Sequence, residues 1–136
     1  MDRVEAAVAI HRGSLRMLRK LRLEDVALGL GTARASALSI VAFGGPTTIT
    51  RLAELEQVRA PTMTRIVDRL QRDGLVTRER DAEDGRRVLV TATAKGLRVM
   101  EAGRDRRVAA LAKAMNGLDE REIATLARAG RILERL

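Results

Sequence analysis

Cysteine is absent from the 136-residue chain, which excludes disulfides, thiolate metal sites and oxidant sensing through a thiol. Tryptophan and tyrosine are absent as well, and Phe43 is the only aromatic ring. Proteins that hold single strands or flexible RNA usually stack bases on such rings, and this chain has no platform of that kind. The single histidine, His11, falls within a helical pattern, where packing or solvation accounts for it without a catalytic or ligand role. No second histidine and no carboxylate cluster accompany it, so neither a metal constellation nor a nucleophile–base pair can be assembled from the sequence. No stretch reaches the ~18–20 uncharged apolar residues of a membrane span. The first residues carry Asp2, Arg3 and Glu5 where a signal peptide would have an apolar core. The expectation is a cytoplasmic protein with no membrane, metal or cofactor partner, and not an enzyme.

What is present is the material of one helical domain. Apolar residues make up 46% and charged residues 32%, and the dominant Ala, Leu and Arg are strong helix formers. The net charge of +8 points toward a polyanionic partner. Its distribution qualifies that inference. Residues 1–36 hold seven basic and four acidic side chains, and residues 93–136 hold ten and six. Residues 37–92 hold nine and eight, so the middle of the chain is nearly neutral. The overall charge alone does not locate a binding face.

Helical spacing of Val4, Val8, Leu15, Leu18 and Leu21 predicts a first helix over about 3–23, broken by Gly29 and Gly31. A second helix over about 32–43 ends at Gly44-Gly45-Pro46. Thr47 to Ile49 is β-prone, and Thr48 or Thr50 can cap a brief third helix that buries Leu52, Ala53 and Leu55. Val58 packs in the next turn, and Pro61 suits the first turn of a fourth helix.

In that fourth helix Met63, Ile66, Val67 and Leu70 share one stripe of about 100°. Arg65, Asp68, Arg69 and Arg72 lie opposite, with Thr62 and Thr64 flanking near the N-terminal end. Any amphipathic surface helix would show this pattern; the segment after it is more specific. Gly74 stops the helix, Leu75 to Arg80 and Arg87 to Ala92 alternate as two half-buried strands, and the tip between them carries Asp84-Gly85-Arg86. A helix able to enter a groove, leading into an arginine-tipped hairpin, describes a winged helix-turn-helix. Double-stranded DNA is therefore the first partner to consider.

Thr93 caps a long helix reaching about Met115, with Leu97, Met100, Val108, Leu111 and Met115 as inward candidates. Asp119 and Glu122 form a capping box for a last helix carrying Ile123, Leu126, Leu133 and Leu136. The fold class expected is mainly α with a small β-hairpin wing. Residues 1–31 supply an N-terminal helix and linker, 32–92 the winged helix-turn-helix lobe, and 93–136 two C-terminal helices. The apolar stripes of the terminal helices exceed what this chain can cover. A second copy is their expected cover, and two-fold symmetry would match a pseudo-palindromic operator.

The order of these elements and their residues together resemble the MarR family of bacterial transcriptional regulators. The resemblance rests on Pro46 to Ala53, on Pro61 to Leu70, on Gly74-Leu75-Val76-Thr77-Arg78, on the wing Asp84-Gly85-Arg86 and on Ala92 to Gly96. It implies a homodimer with intertwined terminal helices, a recognition helix in the major groove and a wing in the adjacent minor groove. Carried onto this chain, the DNA-binding residues would be Arg59, Pro61, Thr62, Thr64, Arg65, Arg69, Arg86 and Arg87. Arg86 matches the family's minor-groove arginine, and Asp84 fits better as its orienting partner than as a DNA contact. Three positions depart from the pattern. Arg59 and Ala60 stand where Ser or Thr usually caps the recognition helix, at a cost of roughly 0.5–2 kcal/mol. Gly85 replaces a basic residue and Ala82 a proline, leaving the wing one charge short.

The resemblance also implies a repressor released by a small aromatic or anionic effector, bound between the terminal helices and the DNA-binding lobe. His11, Arg12, Arg16 and Met17 are candidates by position alone, and solvation or packing explains them equally. The alternative is a constitutive or architectural DNA-binding protein without effector. A third class uses the winged helix to bind a protein partner.

Overall fold

The computed structural model describes residues 1–26 and 29–136, the side chains of residues 25 and 26 excepted. The elements in chain order are α1 (Arg3–Val26), α2 (Thr32–Gly44), α3 (Ile49–Glu56), α4 (Ala60–Arg72), β1 (Val76–Arg80), β2 (Val88–Ala92), α5 (Ala94–Ala114) and α6 (Glu120–Leu133). The fold class is as expected: six helices and a two-stranded antiparallel hairpin among the described residues. Each strand begins one residue later than its alternation suggests, because Leu75 and Arg87 belong to the turns.

The core is confined to the centre of the chain. Ala37, Leu38 and Val41 of α2 meet Leu52 and Ala53 of α3. Met63, Val67 and Leu70 of α4, Leu75, Val76 and Val90 of the hairpin, and Met100 of α5 complete it. Full burial of side chains of this size contributes about 1.5–3 kcal/mol each, so this cluster is what fixes α4. The hairpin pairs Val76 with Ala92 and Arg80 with Val88. Thr47 adds a single bridge to it, donating to the Val90 carbonyl at 3.2 Å and accepting from the Val90 N–H at 2.7 Å. The β-prone segment before α3 thus anchors the wing to the helix-turn-helix.

Local chemistry sets the helix ends. Thr48 caps α3 by accepting from the Arg51 N–H at 3.1 Å. α3 closes in a Schellman motif: Gln57 N–H donates to the Glu54 carbonyl and Val58 N–H to the Ala53 carbonyl, with Gln57 left-handed at φ 55°. α4 closes the same way through Gly74 at φ 74°, with Gly74 N–H on Gln71 and Leu75 N–H on Leu70. In each motif the next residue, Val58 or Leu75, turns its side chain into the core. Asp119 and Glu122 form the expected capping box on α6. Asp2 and Glu5 form another at the start of α1, with Asp2 accepting from the N–H groups of Val4 and Glu5.

Some expected core positions lie outside the core. Leu55 is 47% exposed: it projects about 160° around α3 from Ala53, away from the side that meets α2 and α4. Along α5 the buried stripe is Gly96, Met100 and Gly103, and Leu97 and Val108 lie on a neighbouring face that remains exposed. α1 packs against α5. Val4, Val8, Leu15 and Leu18 on α1, and Ile123, Leu126, Ile132 and Leu133 on α6, are all exposed in the single chain. No helix among the described residues is long and apolar enough to cross a membrane.

Candidate nucleic-acid interface

α3, the Schellman turn and α4 make a helix-turn-helix, and β1 and β2 extend from the end of α4 as its wing. At the start of α4 the backbone of Arg59 is extended (φ −74°, ψ 150°) and no side chain caps the helix. The first amide donors of α4 are therefore left to solvent or to an anion, at the positive end of the helix dipole. Pro61, which has no N–H to leave unsatisfied, sits within this first turn.

The sequence candidates fall into two groups. The guanidinium groups of Arg59, Arg65 and Arg86 are exposed and have no acidic or hydrogen-bonding partner among the described residues. Thr62 is exposed beside them. In contrast, Arg69 lies 3.6 Å from the Asp73 carboxylate and Arg87 lies 4.0 Å from Asp81. Thr64 is half-buried and turns its hydroxyl back onto the Ala60 carbonyl at 3.0 Å, the i−4 bond that competes with outward contacts. Arg72 is also exposed without a partner among the described residues. It follows Arg65 by about two turns on the same face, so it extends the row of uncommitted cations.

At the wing tip Asp84 accepts from the Arg86 N–H at 3.1 Å. It thus orients Arg86 through the backbone. Arg80 donates to the Gly85 carbonyl at 3.3 Å, and Asp81 N–H donates to the Arg87 carbonyl at 2.9 Å. These bonds close the tip and leave the Arg86 side chain projecting.

Two pairings have no local signal in the sequence. Arg34 of α2 meets the Asp73 carboxylate at 3.1 Å, tying α2 to the end of α4. Arg78 of β1 donates to both Asp68 and Gln71 of α4. From sequence, Asp68 shares the polar face of α4 with Arg65; in the structure its carboxylate is held by Arg78. The partners are 10 and 39 residues apart, so only the tertiary fold brings them together.

A cleft of about 380 Å³ opens between α1, α2 and α5, with Leu18, Leu21, Arg22, Ser36, Ser39 and Met100 in its walls. Ser36 donates to Glu56 at the end of α3 at 2.6 Å. The positional candidates His11, Arg12 and Arg16 instead line a groove along α1 itself, with Val8, Leu15 and Arg19. Met17 is exposed and lines neither. Arg12 and Arg16 lie on another face of α1 than Leu18, Leu21 and Arg22, whereas His11 shares the face of Leu18 and Arg22 but sits two turns nearer the N-terminus.

A helix-turn-helix whose second helix runs straight into a two-stranded wing defines a winged helix-turn-helix protein. Within that class, the MarR family model matches residues 32–88. An HTH-type transcriptional regulator of Mycobacterium tuberculosis is 34% identical over 108 residues, 79% of this chain and 76% of that protein. An uncharacterized HTH-type transcriptional regulator of Mycobacterium leprae is 37% identical over 90 residues, 66% of this chain and 63% of the relative. In fold, the chain is similar to a MarR family protein from Bacillus stearothermophilus, with TM-score 0.83 and 24% identity over 97% of this chain and 92% of that one. It is also similar to a point mutant of MepR from Staphylococcus aureus bound to an oligodeoxyribonucleotide, with TM-score 0.70 and 21% identity over 96% of both chains. The chain belongs to the MarR family of transcriptional regulators.

Proposed function

We propose that this chain is a cytoplasmic, homodimeric repressor that binds double-stranded DNA at a pseudo-palindromic operator and is released by a small effector. The observation that carries the DNA-binding part is the division among the arginines of a nearly neutral lobe. Among the described residues Arg59, Arg65, Arg72 and Arg86 are free and exposed at the start of α4, along it and on the wing, whereas Arg69 and Arg87 have acidic partners. In this reading α4 enters the major groove with Arg65 and Thr62 at base edges or backbone. The uncapped start of α4, with Arg59 and Pro61, meets phosphate, and Arg86 reaches the minor groove. Thr64, Arg69 and Arg87 take part only by leaving the intramolecular partners they hold in the single chain. The S. aureus fold neighbour bound to an oligodeoxyribonucleotide supports this use of the fold.

The exposed apolar faces of α1 and α6 support the dimer. Residues such as Val4, Leu18, Leu126 and Leu133 lie on helices α1 and α6 outside the central core, which supports reading 1–31 and 93–136 as dimerisation segments and 32–92 as the DNA-binding lobe. The cleft between α1, α2 and α5 supports the effector, since about 380 Å³ suits a small ligand. Its walls combine Arg22, two serines and apolar side chains without any ring. An anionic ligand therefore fits them better than one that depends on stacking.

A salt titration of binding to duplex from the promoter beside the protein's own gene tests the reading. Affinity should fall steeply and linearly in log[salt], and Arg65→Ala should weaken binding and relax base preference. Absence of duplex binding would point to a protein partner instead. Thermal shift and operator release against a panel of aromatic and aliphatic carboxylates test the effector. No response from any compound would leave a constitutive DNA-binding protein.

A further inference from the structure

We infer that Arg78 is a positioning residue for DNA recognition: its forked guanidinium draws two hydrogen-bond acceptors of the recognition helix away from the DNA-facing surface. The inference rests on the DNA-binding reading above. Arg78 lies on β1, and its Nη1 donates to Gln71 Oε1 while its Nη2 donates to Asp68 Oδ1. Its side chain is 25% exposed, whereas that of Asp68 is 46% exposed. The cation is thus tucked between wing and helix, and the carboxylate stands at the solvent edge of α4.

Left unpaired there, Asp68 would present a negative charge to phosphates on the same helix as Arg65 and Arg72. Like charges juxtaposed across an interface are strongly unfavourable. Gln71 gains an equally directional constraint. With its Oε1 engaged by Arg78, its amide presents only the N–H donors outward. A glutamine reads adenine by accepting and donating together, so the held Gln71 is fit for phosphate and unfit for that base contact. One side chain therefore neutralises the carboxylate on this flank of α4 and turns the amide donors of Gln71 outward. The planar fork is essential, since a lysine ammonium is a point charge and does not match two acceptors set side by side.

The test is a double-mutant cycle on Arg78 and Asp68. Binding to a mixed-sequence duplex is followed as a function of salt, with the melting temperature of each variant measured alongside. Arg78→Ala should lose about tenfold in affinity, like-charge repulsion being the cause. Asp68→Asn alone should change affinity less than about twofold, because the Arg78 cation it leaves unpaired is tucked between wing and helix rather than at the solvent edge. Asp68→Asn in the Arg78→Ala background should recover most of the loss even if the melting temperature does not recover. Arg78→Lys should fall between wild type and Arg78→Ala. Selection of bound sequences should show Arg78→Ala gaining an adenine preference that the wild type lacks.

Wild-type affinity in Arg78→Ala, or a loss that Asp68→Asn does not reverse, overturns the proposal. If Arg78→Ala melts too low to assay, wild-type affinity in Arg78→Lys overturns it equally. Failure of the wild-type protein to bind duplex at all removes the DNA-binding reading itself, a separate outcome read in the first titration.

Discussion

Replacing Gly96 by alanine tests the packing that aims the recognition helix. A Cβ at this position would stand 2.2 Å from the Leu75 carbonyl oxygen and 3.1 Å from its carbon. The obstacle is backbone, so no rotamer change relieves it, and α5 would have to withdraw from the turn that ends α4. Three bonds cross that junction. Thr93 N–H donates to the Leu75 carbonyl at 3.0 Å, Thr93 Oγ1 to the Gly74 carbonyl at 2.7 Å, and Lys95 Nζ to the Asp73 carbonyl at 2.9 Å.

Overpacking of this kind costs about 1–3 kcal/mol. Stretching the two Thr93 bonds adds roughly 0.5–1.5 kcal/mol each, and the helix propensity of alanine returns about 1 kcal/mol. The net expectation is a loss of about 3 kcal/mol, or on the order of 10 °C in melting temperature for a chain of this size. Gly13→Ala is the control: nothing lies within 4 Å of a Cβ there, so only the propensity gain remains and stability should rise slightly. Thermal melts at one fixed protein concentration, so that dimerisation is held constant, make the comparison. A Gly96→Ala protein as stable as wild type, with Gly13→Ala behaving as expected, would refute the close approach of α5 to Leu75.

Other substitutions separate stability from binding. Gln57→Gly relieves a left-handed residue at φ 55° and should raise stability by about 1 kcal/mol, seen as a higher melting temperature with duplex affinity unchanged. Arg59→Ser supplies the missing cap on α4 and should stabilise by roughly 0.5–2 kcal/mol, while lowering duplex affinity through the loss of a free cation. A parallel fall or rise in both quantities would contradict that division of roles. Arg65→Ala should reduce the slope of log affinity against log[salt] by about 0.9. Arg69→Ala should reduce it less, because Arg69 already shares the Asp73 carboxylate; equal slopes for the two variants would count against the grouping of the arginines.

Features whose physical cause lies within four or five residues are legible in the sequence. Thr48 and the Asp119–Glu122 box cap their helices through bonds three residues long, and Gly74 takes the left-handed conformation that its place after α4 demands. The core stripe of α4 is legible too, because Met63, Val67 and Leu70 repeat with the helix itself. Leu55, Leu97 and Val108 are not, since an apolar side chain on an amphipathic helix does not say which neighbour will reach it. The steric demand at Gly96 is equally hidden: the obstructing atom belongs to Leu75, across the hairpin. Position along α1 points to His11, Arg12 and Arg16 for the effector site. The cleft is set instead by the crossing of α1 with α2 and α5.

The same distinction bears on how a lobe with ten basic and eight acidic residues can favour a polyanion. Charge counting treats Arg65 and Arg69 alike, and both sit on the exposed face of α4. The fold separates them by giving Asp73 to Arg69 and Arg34, Asp81 to Arg87, and Asp68 to Arg78. Each of these acids is met by at least one cation, drawn from another element for Asp73 and Asp68. Among the described residues of α4, its leading turn and the wing tip, the cations left over are Arg59, Arg65, Arg72 and Arg86. Exposed pairs are individually weak, at about 0–1 kcal/mol, so this pairing adds little to stability. Its effect is to convert a neutral segment into one with an oriented positive edge. A field of that kind depends on which carboxylates are covered, and so it belongs to the tertiary structure rather than to the composition.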